Sequence, residues 1–159
     1  MAFDGLIENA VLEITNRCNL RCPHCASSSG ACRPNEMMLD ELVRVIRELK
    51  VLGCRAVTLL GGELILRSDW YEIAQTVKMT GIELQLVTNG ILVNEDVRKK
   101  FRSLDPETVG VSVDGATPAS YRAVRGVNGL DLCLRLMSCM VSRGTCNYHF
   151  QRQESSGLR

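Results

Sequence analysis

The chain has 159 residues, with 19 Lys and Arg against 18 Asp and Glu and a formal net charge of +1; that balance excludes a nucleic-acid partner held mainly by a basic surface. A hydrophobic content of 45% with 23% charged residues excludes a disordered chain and suits one domain with a buried core. No apolar run approaches the roughly 18 residues of a membrane span and Met1-Ala2-Phe3-Asp4 lacks a secretory pattern, so the expected setting is cytoplasmic, without a membrane partner, and the eight cysteines are expected reduced and open to metal or cluster ligation.

Taken in order, Ala10 to Thr15 reads as a strand and Asp40 to Leu52 as a helix, with Leu42, Val43, Ile46 and Leu49 on one face and Gly53 as its stop. Ala56 to Leu60 is a second strand, ended by Gly61-Gly62. Asp69 to Met79 is a second helix, capped by Ser68 or Asp69 and stopped near Gly81. Glu83 to Thr88 is a third strand, followed by a helix over Asn94 to Ser103 with Asn94 as cap. Thr108 to Val113 is a fourth strand. A long helix is predicted from about Gly129 to Arg143, and a fifth strand over Cys146 to Gln151. Alternating strands and helices imply a parallel sheet with right-handed crossovers.

Inside the strands the period is two. Leu12 and Ile14 oppose Glu13 and Thr15; Leu84 and Leu86 oppose Gln85; Val109, Val111 and Val113 oppose Gly110, Ser112 and Asp114. A sheet covered by helices on both faces is apolar on both. One polar face implies instead a curved sheet, with helices on the convex side and a polar cavity on the concave side. In such barrels the functional groups sit at the C-terminal strand ends.

The cysteines Cys18, Cys22 and Cys25 follow the first strand with the spacing C-x-x-x-C-x-x-C. Three thiolates on one short loop suit a four-iron cluster with one iron left open. A structural zinc site competes, with His24 or Cys32 as fourth ligand. Cys32, Cys54, Cys133, Cys139 and Cys146 show no ligand spacing among themselves and read as buried small apolar residues. Taken singly, Gly61-Gly62 and Thr88-Asn89-Gly90 are turns, Glu63 a solvated carboxylate, Ser112 and Asp114 a cap for the segment that follows, and Arg125 a surface charge.

Together, the cysteine triplet, Gly61-Gly62-Glu63 after strand two, Thr88-Asn89-Gly90 after strand three, and Ser112-Val113-Asp114-Gly115 followed by Tyr121 and Arg125-Gly126 resemble the radical S-adenosylmethionine (SAM) superfamily. The resemblance covers about Glu8 to Phe150 and is strongest to the branch that modifies peptides or builds cofactors. It implies that Cys18, Cys22 and Cys25 hold a 4Fe–4S cluster whose open iron chelates SAM, and that His24 packs near adenine. It implies that Gly61 and Gly62 let the backbone approach the methionine part, that Glu63 accepts from its ammonium, and that Asn89 lines the same cavity. Ser112 and Asp114 would bond the ribose, and Arg125 would meet the carboxylate. The implied partners are SAM, a peptide or cofactor-precursor substrate and an external electron donor. The implied reaction is reductive cleavage of SAM to a 5′-deoxyadenosyl radical that abstracts hydrogen. Of the two carboxylates, Glu63 is expected to matter more for SAM than Asp114.

Two departures stand out. Leu64 occupies the place where the family commonly has proline, so a looser turn is expected there. The family core is a six-stranded partial (β/α) barrel, whereas this sequence supplies about five strands before Arg159. A single, truncated core domain over 1–159 is therefore expected, with strand five as an exposed edge through which chains associate. A remnant that binds cluster and SAM without turnover, or a small zinc module, are the alternatives.

Overall fold

The computed structural model describes residues 7–141. Four parallel strands, β1 (Asn9–Glu13), β2 (Ala56–Leu60), β3 (Glu83–Thr88) and β4 (Thr108–Val111), lie in the order β1-β2-β3-β4. The register pairs Asn9 with Ala56, Ala56 with Glu83, and Gln85 with Thr108. Helices α1 (Leu39–Val51), α2 (Trp70–Met79) and α3 (Glu95–Leu104) make the crossovers, and α4 (Pro118–Arg125) and α5 (Leu130–Val141) follow β4. A sequential order with right-handed crossovers puts every crossover helix on one side of the sheet. The opposite face is left free, which is the arrangement of a partial barrel and not of a doubly wound sheet.

The burial follows the period-two pattern. Val57, Leu59, Leu84, Leu86 and Val109 pack under Leu42 and Ile46 of α1, Ile73 and Val77 of α2, and Phe101 of α3. Trp70 closes this layer with an edge contact to Phe101, ring centroids 5.6 Å apart. A second cluster gathers Val111, Val113, Tyr121, Leu130, Cys133 and Leu136 around β4, α4 and α5. On the free face, Asn9 donates to Thr58 at 3.1 Å and Thr58 donates to Gln85 at 2.8 Å, a polar row across three strands.

Element boundaries agree with the sequence reading within one or two residues, and the far end of the last helix, read to Arg143, lies outside the described residues. Of that helix, Leu130–Val141 is described; the strand predicted over Cys146 to Gln151 lies outside the described residues. Asn94 caps α3 as expected, accepting the Val97 N–H at 3.0 Å. Asp69 precedes α2 without a side-chain cap bond, because Arg67 takes its carboxylate at 2.6 and 3.1 Å. Helix α4 has no counterpart in the sequence reading. Its signals are a capping pair, Thr117 with Ser120, and Pro118 in the first turn. Among the described residues no helix is long and apolar enough to cross a membrane.

The turn after Glu63 is not loose. Leu64 is wholly buried in the main core and opens a 3₁₀ turn, Leu64–Leu66, closed by bonds from Leu66 N–H to Glu63 and Arg67 N–H to Leu64. A buried side chain anchors this turn where a proline ring would have restricted its φ. Replacing Leu64 by Ala removes that anchor, and urea denaturation is expected to show a loss of about 2–5 kcal/mol.

Candidate functional site

The β1–β2 pairing continues past both strands into the cysteine loop. Ile14 N–H donates to Leu60, Gly62 N–H to Thr15 and Glu63 N–H to Arg17, each at 2.8 Å. A Cβ on Gly61 would stand 2.5 Å from the Thr15 carbonyl oxygen, and one on Gly62 would stand 2.6 Å from that of Arg17. Only glycine permits this approach. The two glycines thus seat the loop's own backbone against the end of β2, a role distinct from the contact with SAM that the resemblance implies.

Glu63 is 1% exposed. Its Oε1 accepts the Thr88 hydroxyl at 2.8 Å and its Oε2 the Asn89 N–H at 2.6 Å, tying the end of β2 to the end of β3. This is a buried brace and not the solvated carboxylate that Glu63 suggests when read alone. Burial pushes its carboxyl above the ordinary range, against the pull of those two bonds. Asn89 then donates through Nδ2 to Asn19 at 2.9 Å, with Cys18 Sγ 3.9 Å away. It stands beside the first thiol and is not among the residues that line the cavity.

The three cysteines are partly buried and carry free thiols. Cys18 Sγ accepts the Leu20 N–H at 3.4 Å, and Cys25 Sγ the Ser29 N–H at 3.3 Å. Cys22 Sγ lies 3.8 Å from the Arg125 guanidinium. Burial raises the Cys18 thiol, while the Ser29 N–H lowers that of Cys25. The N–H aimed at Cys25 Sγ favours thiolate there, the form that ligates iron. Three free, partly buried thiols on one short loop fit a thiolate-held cluster. Zinc would draw its ligands to within about 2.0–2.3 Å of one ion. Among the described residues no three His, Cys, Asp or Glu side chains converge in that way. His24, one possible fourth zinc ligand, is turned to Asp114, and Cys32, the other, is exposed.

Next to this loop, on the free face of the sheet, lies a cavity of about 560 Å³. Thr58, Gln85, Gly110 and Ser112 belong to its floor, and His24, Asp114 and Arg125 stand at the cysteine side. Arg125 and Asp114 are 13% and 12% exposed and pair at 2.5 Å; His24 Nε2 is 3.2 Å from the same carboxylate oxygen. Arg125 is therefore a cavity residue and not a surface charge, and Asp114 caps no helix, a task Thr117 performs for α4. The buried Nε–H of Arg125 has no hydrogen-bond partner among the described residues, while its terminal nitrogen holds Asp114.

Of the residues the sequence reading singled out, His24, Cys25, Ser112, Asp114 and Arg125 line the cavity and Cys22 lies beside Arg125, while Cys18 stands next to Asn89. That reading overlooked Thr88 as the partner of Glu63 and Thr58 as part of the floor. The signal for Thr58 was a lone polar residue inside Ala56-Val57-Thr58-Leu59-Leu60. Two of the five remaining cysteines, Cys54 and Cys133, are buried as expected. Cys32 and Cys139 are instead exposed, on the loop and on the outer side of α5, and Cys146 lies outside the described residues.

The raised carboxyl of Glu63 has a sign. The folded chain holds its proton to higher pH than the unfolded chain, whose ordinary value is 4.5. Over the window above 4.5 the folded state binds more protons, so this group's contribution to stability falls as pH rises. Glu63→Gln keeps an acceptor for the Asn89 N–H and removes the titration. Denaturant titrations from pH 4.5 upward are expected to show a flatter stability profile for the variant.

Residues 12–144 match the radical SAM superfamily. The chain is 33% identical over 132 residues to mycofactocin maturase MftC of Mycolicibacterium smegmatis, covering 83% of this chain and 34% of that protein. It is 35% identical over 118 residues to the AdoMet-dependent heme synthase of Methanosarcina barkeri, covering 74% and 34%. It thus spans about a third of the length of these curated relatives. The crystal structure of Streptococcus suis SuiB bound to S-adenosylmethionine superposes with a TM-score of 0.81 at 20% identity, covering 94% of this chain and 35% of that one. That likeness establishes a shared fold, and the match over 12–144 establishes the family: the chain belongs to the radical SAM superfamily.

Proposed function

We propose that this chain is the cofactor-binding portion of a radical SAM enzyme that acts on a peptide or a cofactor precursor. The observation that carries the reading is the juxtaposition of the Cys18-Cys22-Cys25 loop with a polar cavity at the C-terminal ends of parallel strands. Cys18, Cys22 and Cys25 hold a 4Fe–4S cluster, and SAM occupies the adjoining cavity. When both are bound, the cluster would pass on the external donor's electron for reductive cleavage of SAM to methionine and a 5′-deoxyadenosyl radical. The substrate class is supported by relatives named as maturases and by a solved complex of SuiB with its precursor peptide SuiA. An external electron donor in a reducing cytoplasm completes the reading.

Within this proposal the chain's own groups divide their work. Arg125, on the cavity wall beside Cys22, takes the carboxylate of SAM. Asp114 and Ser112 accept from its hydroxyls, and His24, held by Asp114, offers a ring face to the base. Gly61 and Gly62 hold the cysteine loop to the strand end. Glu63 acts at one remove through Thr88 and Asn89, because its carboxylate is buried against them.

Anaerobic reconstitution with iron and sulfide is expected to give about four irons per chain and broad visible absorbance, both lost in Cys22→Ala. With SAM and a low-potential reductant, 5′-deoxyadenosine is the expected product. Binding of SAM without this product would assign a cluster-binding remnant, and tight zinc without iron would assign the zinc module. For SAM affinity at matched cluster content, Asp114→Asn is expected to weaken binding by about tenfold or more, and Glu63→Gln by less. The reverse order, read by equilibrium dialysis, would put the SAM ammonium on Glu63.

A further inference from the structure

The cysteine loop is closed by a carboxylate outside the motifs described above. Glu36 stands just before α1, at the far end of the loop. Its Oε1 accepts the N–H of Asn16 at 2.7 Å and the N–H of Arg33 at 3.0 Å, while Oε2 accepts the Thr15 hydroxyl at 3.0 Å. One side chain thus ties the segment leading into Cys18 to the segment leaving Cys25.

Inside that tie the two arms of the loop run alongside each other. Gly30 N–H donates to Asn16 at 2.8 Å, Cys18 N–H donates to Gly30 at 3.0 Å, and Asn16 Nδ2 donates to Ala31 at 3.2 Å. Arg17 and Gly30 form an isolated parallel bridge. All three thiols lie on the stretch so enclosed. Closing a loop of this length costs chain entropy, which these bonds offset before any ligand arrives. Burial pushes the Glu36 carboxyl up, but the N–H groups of Asn16 and Arg33, the Thr15 hydroxyl and the Arg67 charge outweigh it and hold it ionised.

We propose that Glu36 is a positioning residue for the cluster, closing residues 16–36 into the shape that presents Cys18, Cys22 and Cys25 together. This rests on the reading above that these thiols hold a cluster. Glutamine keeps the oxygen that both N–H groups share but not the acceptor of the Thr15 hydroxyl, so it restores the closure in part. Aspartate is one methylene too short to span both arms.

The test compares wild type with Glu36→Ala, Glu36→Asp and Glu36→Gln by two measurements. The first is amide hydrogen exchange of the apo chain; the second is the rate at which a chelator strips iron from the reconstituted chain. Glu36→Ala and Glu36→Asp are expected to exchange residues 16–36 faster while β2 and β3 stay protected, and to lose iron about tenfold faster or more. Glu36→Gln is expected to fall between wild type and Glu36→Ala in both. Unchanged loop exchange and iron loss in Glu36→Ala would overturn the proposal. So would a Glu36→Gln variant as impaired as Glu36→Ala, or loss of protection that spreads through the sheet. Failure of the wild type to take up iron would overturn the cluster reading, and the role assigned to Glu36 with it; normal uptake with no effect of the variants would overturn the role of Glu36 alone.

Discussion

The approach of the cysteine loop to the end of β2 is the contact on which the rest of the site depends. It is a backbone-to-backbone contact, with carbonyl oxygens of Thr15 and Arg17 standing where side-chain atoms of residues 61 and 62 would otherwise begin. The hydrogen bonds of Gly62 and Glu63 to that loop extend the sheet's ladder beyond its last paired strand residues. The loop is therefore registered against the strand to within a residue, and with it the thiols. A loop held only by side chains would have more freedom to shift.

From that contact the bracing passes sideways through a buried carboxylate. Glu63 begins on the end of β2 and ends on Thr88 and Asn89 at the end of β3, and Asn89 turns back to Asn19 inside the cysteine loop. An ionisable group this deeply buried is costly unless its oxygens are satisfied. The fold satisfies both, and in doing so connects two strand ends with the loop. The second layer, α4, brings Arg125 to the other side of the loop, next to Cys22 and Asp114. Tyr121, wholly buried in the same helix, sets α4 against α5 through its contact with Cys133, whose Sγ in turn donates to the Asn89 carbonyl.

The cavity follows from topology more than from any residue. With strands in sequential order and the crossover helices on one side, the other sheet face lines the cavity, with the cysteine loop and Arg125 at its edge. Its floor is therefore free to be polar, and Asn9, Thr58 and Gln85 satisfy one another along it. The charged groups gather at the strand ends near the cysteines, where His24, Asp114 and Arg125 converge from the loop, β4's exit and α4.

The four described strands and most helices were legible in the chain itself, because period-two and helical apolar patterns report directly which side of an element is buried. The thiol triplet and the order of Gly61-Gly62-Glu63 and Ser112-x-Asp114 were equally legible, since their spacing is local. Helix α4 was missed although Thr117, Pro118 and Ser120 announce it, because only Tyr121 marks its buried side. What tertiary structure alone decided is which groups face each other across sequence distance. It turned Glu63 inward to Thr88, brought Arg125 to Cys22, and set Glu36 across the neck of the loop. A carboxylate's partners depend on which strand ends and loops the fold makes adjacent, and no pattern within a few residues of it carries that information.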